Sequence, residues 1–233
     1  MRTQSLWALV ISLVGAASVA PAQTVTLDEG SFRISVGGRE VGTEVFSVRQ
    51  NGSGENAVII AVGRVVLDSE RGPQELSSEL QVAGGSLRPA AYEVKVQGAG
   101  AEQIKGRVVG GRFSAQIVSP AGEMMREYLA GDGAVVVDEG VAHQYYFLAR
   151  RADGKSARMP VIIPRLSRQV VAQVAFGGAD KIAIAGRSYD ALKYTVTAPG
   201  TPGREVWTDS EGRVLRLEIA DRKFIAQRVA APK

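Results

Sequence analysis

The chain has 233 residues, no cysteine, one histidine and a net charge of +4, from 28 Lys and Arg against 24 Asp and Glu. The lack of cysteine excludes disulfide bonds and cysteine-ligated metal sites, and a single histidine excludes metal sites that need several. The basic excess is small and evenly spread, so the composition does not indicate a nucleic-acid partner.

Residues 1–22 have the pattern of a secretory signal peptide. Arg2 is the only charged residue of this segment, an apolar run covers 6–14, and small residues lead to an A-x-A cleavage site at 20–22. The apolar run is short for a membrane span, which makes an N-terminal anchor the less favoured alternative, and no other segment approaches that length. We therefore expect an exported chain in the periplasm or outside the cell, with 23–233 forming a single β-rich domain and no transmembrane segment.

Alternation of apolar and polar residues dominates the chain after the signal segment, as in strands with one buried and one exposed face. The runs at 32–36 and 215–219 are examples, and glycine-rich turn signals separate such runs at nearly regular spacing. Gly-Gly at 110–111 predicts a two-residue hairpin. Gly63 predicts a bend or bulge within a long strand over 56–68.

One segment, at about 138–151, has helical periodicity instead. Its apolar residues share one face, and acidic residues at its start and basic residues at its end match the helix macrodipole. Asp138 is predicted to cap the start, and Asp-Gly at 153–154 to end the helix. About a dozen strands exceed what a flat open sheet accommodates without curling. We therefore predict a mainly β fold, in which a single highly curved antiparallel meander sheet, or an open barrel, wraps around this one helix.

Residues suited to catalysis are sparse. His143 is the one histidine available as a base, the chain has no G-x-S-x-G motif, and Glu139 lies four residues before His143 on the same helical face. A local ion pair between these two side chains is the favoured interpretation. The acidic segment 209–212 lacks the spacing of a calcium loop and predicts a hairpin turn. We therefore predict no catalytic residue, no metal site, no cofactor and no enzymatic activity.

Four aromatic residues provide the candidate ligand site. Tyr145, Tyr146 and Phe147 cannot all lie on one stripe of the helix, and Trp207 belongs to a strand near the end of the chain. If the sheet leaves an apolar groove beside the helix, these side chains would line it. If the sheet closes tightly, they are packing residues of the core, which is the interpretation we favour.

Several loose motifs carry a resemblance to a known group of proteins. They are Val41-Gly42-Thr43 near the start and, near the end, Gly186-Arg187-Ser188-Tyr189-Asp190-Ala191, Glu205-Val206-Trp207-Thr208-Asp209 and Gly212-Arg213-Val214-Leu215-Arg216. With these motifs the chain resembles a superfamily of secreted bacterial domains of unknown function. The resemblance implies a curved meander sheet around a helix, similar in architecture to the periplasmic lipoprotein carriers, and it supplies no catalytic residue.

Two functional hypotheses follow from the sequence. The first is an exported, non-catalytic envelope protein that binds an apolar small molecule or lipid between helix and sheet. The alternative is a structural or protein-interaction module of the cell envelope that recruits a protein partner with a sheet edge or face. The identities of the ligand and of the protein partner stay open.

Overall fold

The computed structural model describes residues 24–69 and 72–233, which form one continuous sheet of fifteen strands around a short helix. The predicted signal peptide at 1–22 lies outside the described residues. None of the helices in the described part of the chain has the length and apolar character needed to cross a membrane.

Eight strands precede the helix as an antiparallel meander, followed by a short ninth strand. Their bounds are β1 Thr24–Val36, β2 Arg39–Asn51, β3 Val58–Ser69, β4 Gly72–Ala83, β5 Pro89–Gly98, β6 Glu102–Val109, β7 Arg112–Ser119, β8 Gly122–Leu129 and β9 Val135–Val136. The helix α1 spans Tyr145–Ala152. The remaining strands are β10 Ala157–Ile163, β11 Arg168–Ile184, β12 Arg187–Ala198, β13 Thr201–Thr208, β14 Val214–Ile219 and β15 Phe224–Arg228. Three short 3₁₀ turns lie at Gly54–Asn56, Pro164–Leu166 and Ala220–Arg222.

The two halves of the chain join through their ends. Strand β1 pairs with β15, from Phe32 opposite Arg228 to Val36 opposite Phe224, so the sheet runs from β8 through β1 and β15 to β9. All pairings are antiparallel except the short one between β9 and β10. This confirms the predicted fold class of a curved meander sheet with the helix inserted between its two halves.

The sheet is an open barrel, and a side chain of β11 contacts its edge strand β8. Within the described residues, β8 and β9 are the edge strands and do not pair with each other. The carboxamide of Gln169 in β11 instead contacts the backbone of Leu129 in β8. Its Oε1 accepts the Leu129 N–H at 3.0 Å and its Nε2 donates to the Leu129 carbonyl at 2.5 Å.

The hairpin prediction is confirmed and the bulge prediction is wrong. Gly110 and Gly111 join β6 to β7 with φ angles of 58° and 75°, which suit a two-residue turn that matches strand twist. At Gly63, by contrast, β3 keeps its register with both neighbouring strands. One observed irregularity lies in β11 between Phe176 and Gly178.

The helix begins seven residues later than the periodicity predicts. Residues 138–144 form a buried loop in which Gly140 has a φ of 74°, and Gln144, at the N-cap, makes no capping bond with its side chain. The cap prediction for Asp138 is therefore wrong, because its carboxylate serves tertiary contacts. The predicted end is confirmed, since Asp153 adopts a left-handed conformation with φ 48° and its N–H donates to the Ala149 carbonyl.

The core fills the space between α1 and the inner face of the sheet. Five consecutive helix residues, 145–149, are buried in it together with apolar residues from nearly every strand. A second, smaller cluster lies on the opposite face of β13, where Trp207 packs with Ile184 and Leu215. Successive strand residues point to opposite faces, so Val206 enters the main core and Trp207 the outer cluster.

Candidate functional site

The structure brings three of the four predicted site residues together. Tyr145, Tyr146 and Phe147 are all buried on α1 inside the barrel. Trp207 lies on the outer face of the sheet, where its indole N–H donates to Asp180 at 2.8 Å and Lys193 stands 4.9 Å from the ring centroid. The four aromatic side chains therefore do not line a common groove.

The space beside Tyr145 is too small for a lipid. Between α1 and the C-terminal half of the sheet, the cavity that Tyr145 lines has a volume of about 20 Å³. Such a volume corresponds to roughly one water molecule. On this side of the helix, the structure agrees with the interpretation of the aromatic residues as core packing.

The space beside Tyr146 is much larger. A cleft of about 1010 Å³ opens between α1 and β1, and we call it the Tyr146 cleft. Its lining residues are Val25, Thr26, Leu27, Asp28, Glu29, Gly30, Ser31, Val45, Phe46, Tyr146, Arg150, Glu211, Arg213, Ala230, Ala231 and Lys233. This volume is at the upper end of the range of small-molecule sites in proteins.

The Tyr146 cleft exists because β15 is shorter than β1. The ladder between them ends where Phe32 faces Arg228, and Val229 N–H still donates to the Ser31 carbonyl at 3.0 Å. Residues 24–30 of β1 pair in the sheet with β2 alone. The missing strand length leaves a gap in the barrel, and Tyr146 and Arg150 of α1 lie behind it. Val25, Leu27 and Val45 supply apolar surface from the two strands at the gap.

A buried ion pair closes the inner end of this gap. Both guanidinium Nη atoms of Arg228 donate to the carboxylate of Asp28, at 2.6 and 3.0 Å, and the two side chains are almost fully enclosed. Arg228 also donates to the carbonyls of Glu29, Val214 and Ala230. Burial raises the pKa of Asp28, and the bonds from Arg228 oppose that rise.

Basic side chains stand at the mouth of the Tyr146 cleft. Arg213 is held by Asp209 at 2.6 Å and donates to the Lys233 carbonyl at 2.7 Å. Arg150 is exposed on α1, and its bond to the Glu211 carbonyl is long, at 3.4 Å. Arg150 thus places a cation at the mouth of the Tyr146 cleft, which Val25 and Leu27 line with apolar side chains.

His143 has a different partner from the predicted one. Its Nδ1 lies 2.5 Å from Oε1 of Glu44 in β2, and both side chains are fully buried. The Glu44 carboxylate also accepts the backbone N–H groups of Ala142 and His143, at 2.8 and 3.1 Å. The imidazole stacks on Phe46 with 5.5 Å between ring centroids. The predicted ion pair with Glu139 is wrong, because these residues lie in a loop and not on one helical face.

The position of His143 explains Gly63. A Cβ atom at Gly63 would lie 2.8 Å from Nδ1 of the imidazole, so only glycine lets β3 pass this close to the ring. The glycine that suggested a bulge therefore marks a close approach.

Glu139 binds two arginines from the other half of the chain. Its Oε2 accepts from Arg204 at 3.2 Å, and its Oε1 accepts from Arg222. These contacts tie the loop before α1 to β13 and to the 3₁₀ turn after β14.

Asp138 is the centre of a buried hydrogen-bond network. Its carboxylate accepts the Tyr92 hydroxyl at 2.7 Å and the backbone N–H groups of Glu139 and Arg165 at 2.9 and 3.1 Å. Its own N–H donates to Gln144 Oε1 at 2.7 Å. Burial raises the pKa of Asp138 to about 6, although the charge of Arg165 acts in the opposite direction.

This raised pKa predicts a pH-dependent stability. Asp138 has a pKa of about 6 in the folded protein against an ordinary value of 3.8, so the folded state binds a proton more tightly than the unfolded state. The free energy of unfolding should then fall as pH rises from about 4 to about 6, by up to roughly 3 kcal/mol from this group. We expect Asp138→Asn to remove this contribution. Urea denaturation of both proteins from pH 4 to pH 7 measures it, and a constant stability difference across that range would contradict the assignment.

Comparisons with known proteins support the fold alone. No protein-family model and no curated protein matches the chain. Its fold is similar to the crystal structure of a β-barrel-like protein of the domain of unknown function DUF1849 from Brucella abortus, with a TM-score of 0.52. The two share 12% sequence identity, over 88% of this chain and 97% of that one. The resemblance to a β-rich domain of unknown function is thus confirmed at the level of fold, and secretion stays a prediction.

Proposed function

We propose that this chain is an exported, non-catalytic envelope protein that binds an apolar or lipid-like ligand in the Tyr146 cleft. The observation that carries the proposal is the cleft itself, about 1010 Å³ in volume, with apolar strand residues beside an exposed arginine of α1. Export to the periplasm or the outside of the cell rests on the signal pattern over 1–22.

The arrangement of His143 supports a non-catalytic role. The only histidine of the chain has its Nδ1 against Glu44 in the core, and its side chain is inaccessible to solvent. A general base must reach the proton that it abstracts from a substrate. Among residues 24–69 and 72–233, no three acidic or histidine side chains converge as a metal site would require.

A second function is favoured by a separate observation. The edge strand β8 exposes Met124, Met125 and Leu129 to solvent. An edge of this kind suits a protein-interaction module that recruits a partner by strand pairing.

Two matched variants of β1 test the proposal. Val25 lines the Tyr146 cleft and is 48% exposed, whereas Val36, at the other end of the same strand, is 42% exposed and lies outside it. We expect the wild-type protein to bind a fluorescent long-chain fatty acid saturably. Val25→Asp should weaken this binding at least about tenfold, equivalent to about 1.4 kcal/mol, because it places a charge against the apolar chain.

Val36→Asp should bind the fatty acid as the wild type does. Fluorescence titration of the three proteins, with circular dichroism to verify folding, provides the measurement. Equal affinity in all three, or no saturable binding by the wild type, would contradict a ligand site in the Tyr146 cleft.

A further inference from the structure

We propose that the free edge of β8 is a docking site for an extended partner segment with two basic residues that flank an apolar one. This inference is independent of the Tyr146 cleft, because it depends on the opposite end of the sheet. Here "the β8 edge" means the backbone of residues 123–127 on the side away from β7.

The register of β8 identifies which backbone groups are free. Ala130, just after the strand, donates its N–H to the Gly111 carbonyl at 2.8 Å, which sets the phase of pairing with β7. In an antiparallel pair, alternate residues bond to the neighbour, and those between them direct N–H and C=O away from it. The outward residues are therefore Glu123, Met125, Glu127 and Leu129.

One of these four positions already has a strand-like partner. The Gln169 carboxamide both accepts from and donates to the Leu129 backbone, as a peptide group of an added strand would. In the part of the chain that the structure describes, no such bond is made to the outward backbone of Glu123, Met125 or Glu127. The outward N–H and C=O groups of these three residues can therefore pair with an added strand. They point in the same direction as the Leu129 groups that Gln169 binds.

The side chains of β8 are unusual for an edge exposed to water. Met124, Met125 and Leu129 have 45%, 59% and 63% of their surface exposed. Methionine adapts its shape to different partners and is frequent at binding surfaces. Edge strands without such a role are normally shortened, interrupted, covered or charged, and β8 combines its exposed apolar residues with the charges of Glu123, Arg126 and Glu127.

The charges of the β8 edge select the partner. Glu123 and Glu127 flank Met125 on the outer face of the strand. Among residues 24–69 and 72–233, Glu127 has a basic partner, Arg112 at 3.5 Å, whereas Glu123 accepts from the neutral Gln116 at 2.6 Å. An antiparallel segment centred on Met125 places its own residues directly opposite both glutamates, where basic side chains are favoured. A second copy of this chain in the same register would place Glu127 opposite Glu123, and that repulsion disfavours self-association.

A peptide titration tests this partner. One synthetic peptide has the core Lys-Thr-Leu-Thr-Lys and a matched one has Glu-Thr-Leu-Thr-Glu, and binding is followed by NMR from the amide signals of 123–127. We expect the basic peptide to bind at least about tenfold more tightly than the acidic one.

Met125→Pro removes an outward N–H that β7 does not use, so it should weaken binding of the basic peptide at least about tenfold. Met125→Ala retains this donor and should change the affinity less than about threefold.

A charge reversal provides a second variant should the proline substitution disturb folding. Glu123→Lys together with Glu127→Lys should reverse the preference, so that the acidic peptide binds more tightly. Equal binding of both peptides, or binding unaffected by Met125→Pro in a folded protein, would overturn the proposal. Concentration-dependent dimers that Met125→Pro abolishes would assign the β8 edge to a second copy of the chain instead.

Discussion

Replacing Glu44 by alanine should lower the free energy of unfolding by about 3–5 kcal/mol, because it removes the acceptor of three buried hydrogen bonds. The substitution would leave three donors in the core without an acceptor, namely the N–H groups of Ala142 and His143 and the imidazole Nδ1. Glu44→Gln retains a carbonyl acceptor and should fall between the wild type and the alanine variant. Urea denaturation at neutral pH gives the free energy of unfolding of the wild type and both variants.

An exposed pair serves as the control for Glu44. Glu93 binds Lys105 at 3.2 Å on the surface of the sheet, with about half of each side chain exposed. Glu93→Ala should cost less than about 1 kcal/mol. If Glu44→Ala costs no more than Glu93→Ala, then the Glu44–His143 pair does not hold the loop before α1 against β2.

Replacing Arg228 by alanine should lower the free energy of unfolding by a similar amount, about 3–5 kcal/mol. The guanidinium joins the first and last strands by its bonds to Asp28, and it donates to three backbone carbonyls. The substitution removes the donor from Asp28 and from all three carbonyls. Thermal and urea denaturation give the size of the loss. The backbone amides of β15 should show the largest increase in hydrogen-exchange rate, because the pairing of β15 with β1 is short.

The pair of Arg33 in β1 with Glu40 in β2 is the exposed control, on the strand next to β15. It has a separation of 3.1 Å, and more than half of each side chain is exposed to solvent. Arg33→Ala should change stability by less than about 1 kcal/mol. A loss of that size for Arg228→Ala as well would mean that the closure between the chain ends does not depend on this ion pair.

The sheet could be predicted from the sequence because its pattern is local. Alternation over 32–36 and the glycine pair at 110–111 involve residues that are adjacent in sequence. The structure has a strand at the first and a hairpin turn at the second. The start of α1 could not be predicted in this way. The backbone N–H groups of Ala142 and His143 donate to Glu44 of β2, so a tertiary acceptor takes the place of intrahelical bonds there.

The buried polar residues of the site were missed for the same reason. Glu44 and His143 are 99 residues apart, and Asp28 and Arg228 are 200 apart, so no local spacing indicates either pair. A signal for Glu44 exists, because it shares the inward phase of Phe46 and Val48. A carboxylate at such a position needs a buried partner.

The sequence could not predict which aromatic residue of the helix lies beside a cleft and which is packed in the core. Tyr145 and Tyr146 are adjacent and both enclosed, yet one faces a space of about 20 Å³ and the other a cleft of about 1010 Å³. The difference depends on where β15 ends relative to β1. Trp207 follows Val206 directly, and two adjacent apolar residues do not tell which one faces the core.

Native mass spectrometry of the protein purified from its own envelope fraction tests the central claim most directly. We predict that the wild-type protein carries a bound apolar molecule that is lost in Val25→Asp and retained in Val36→Asp. A wild-type protein without any bound molecule, or one whose bound molecule persists in Val25→Asp, would contradict a ligand in the Tyr146 cleft.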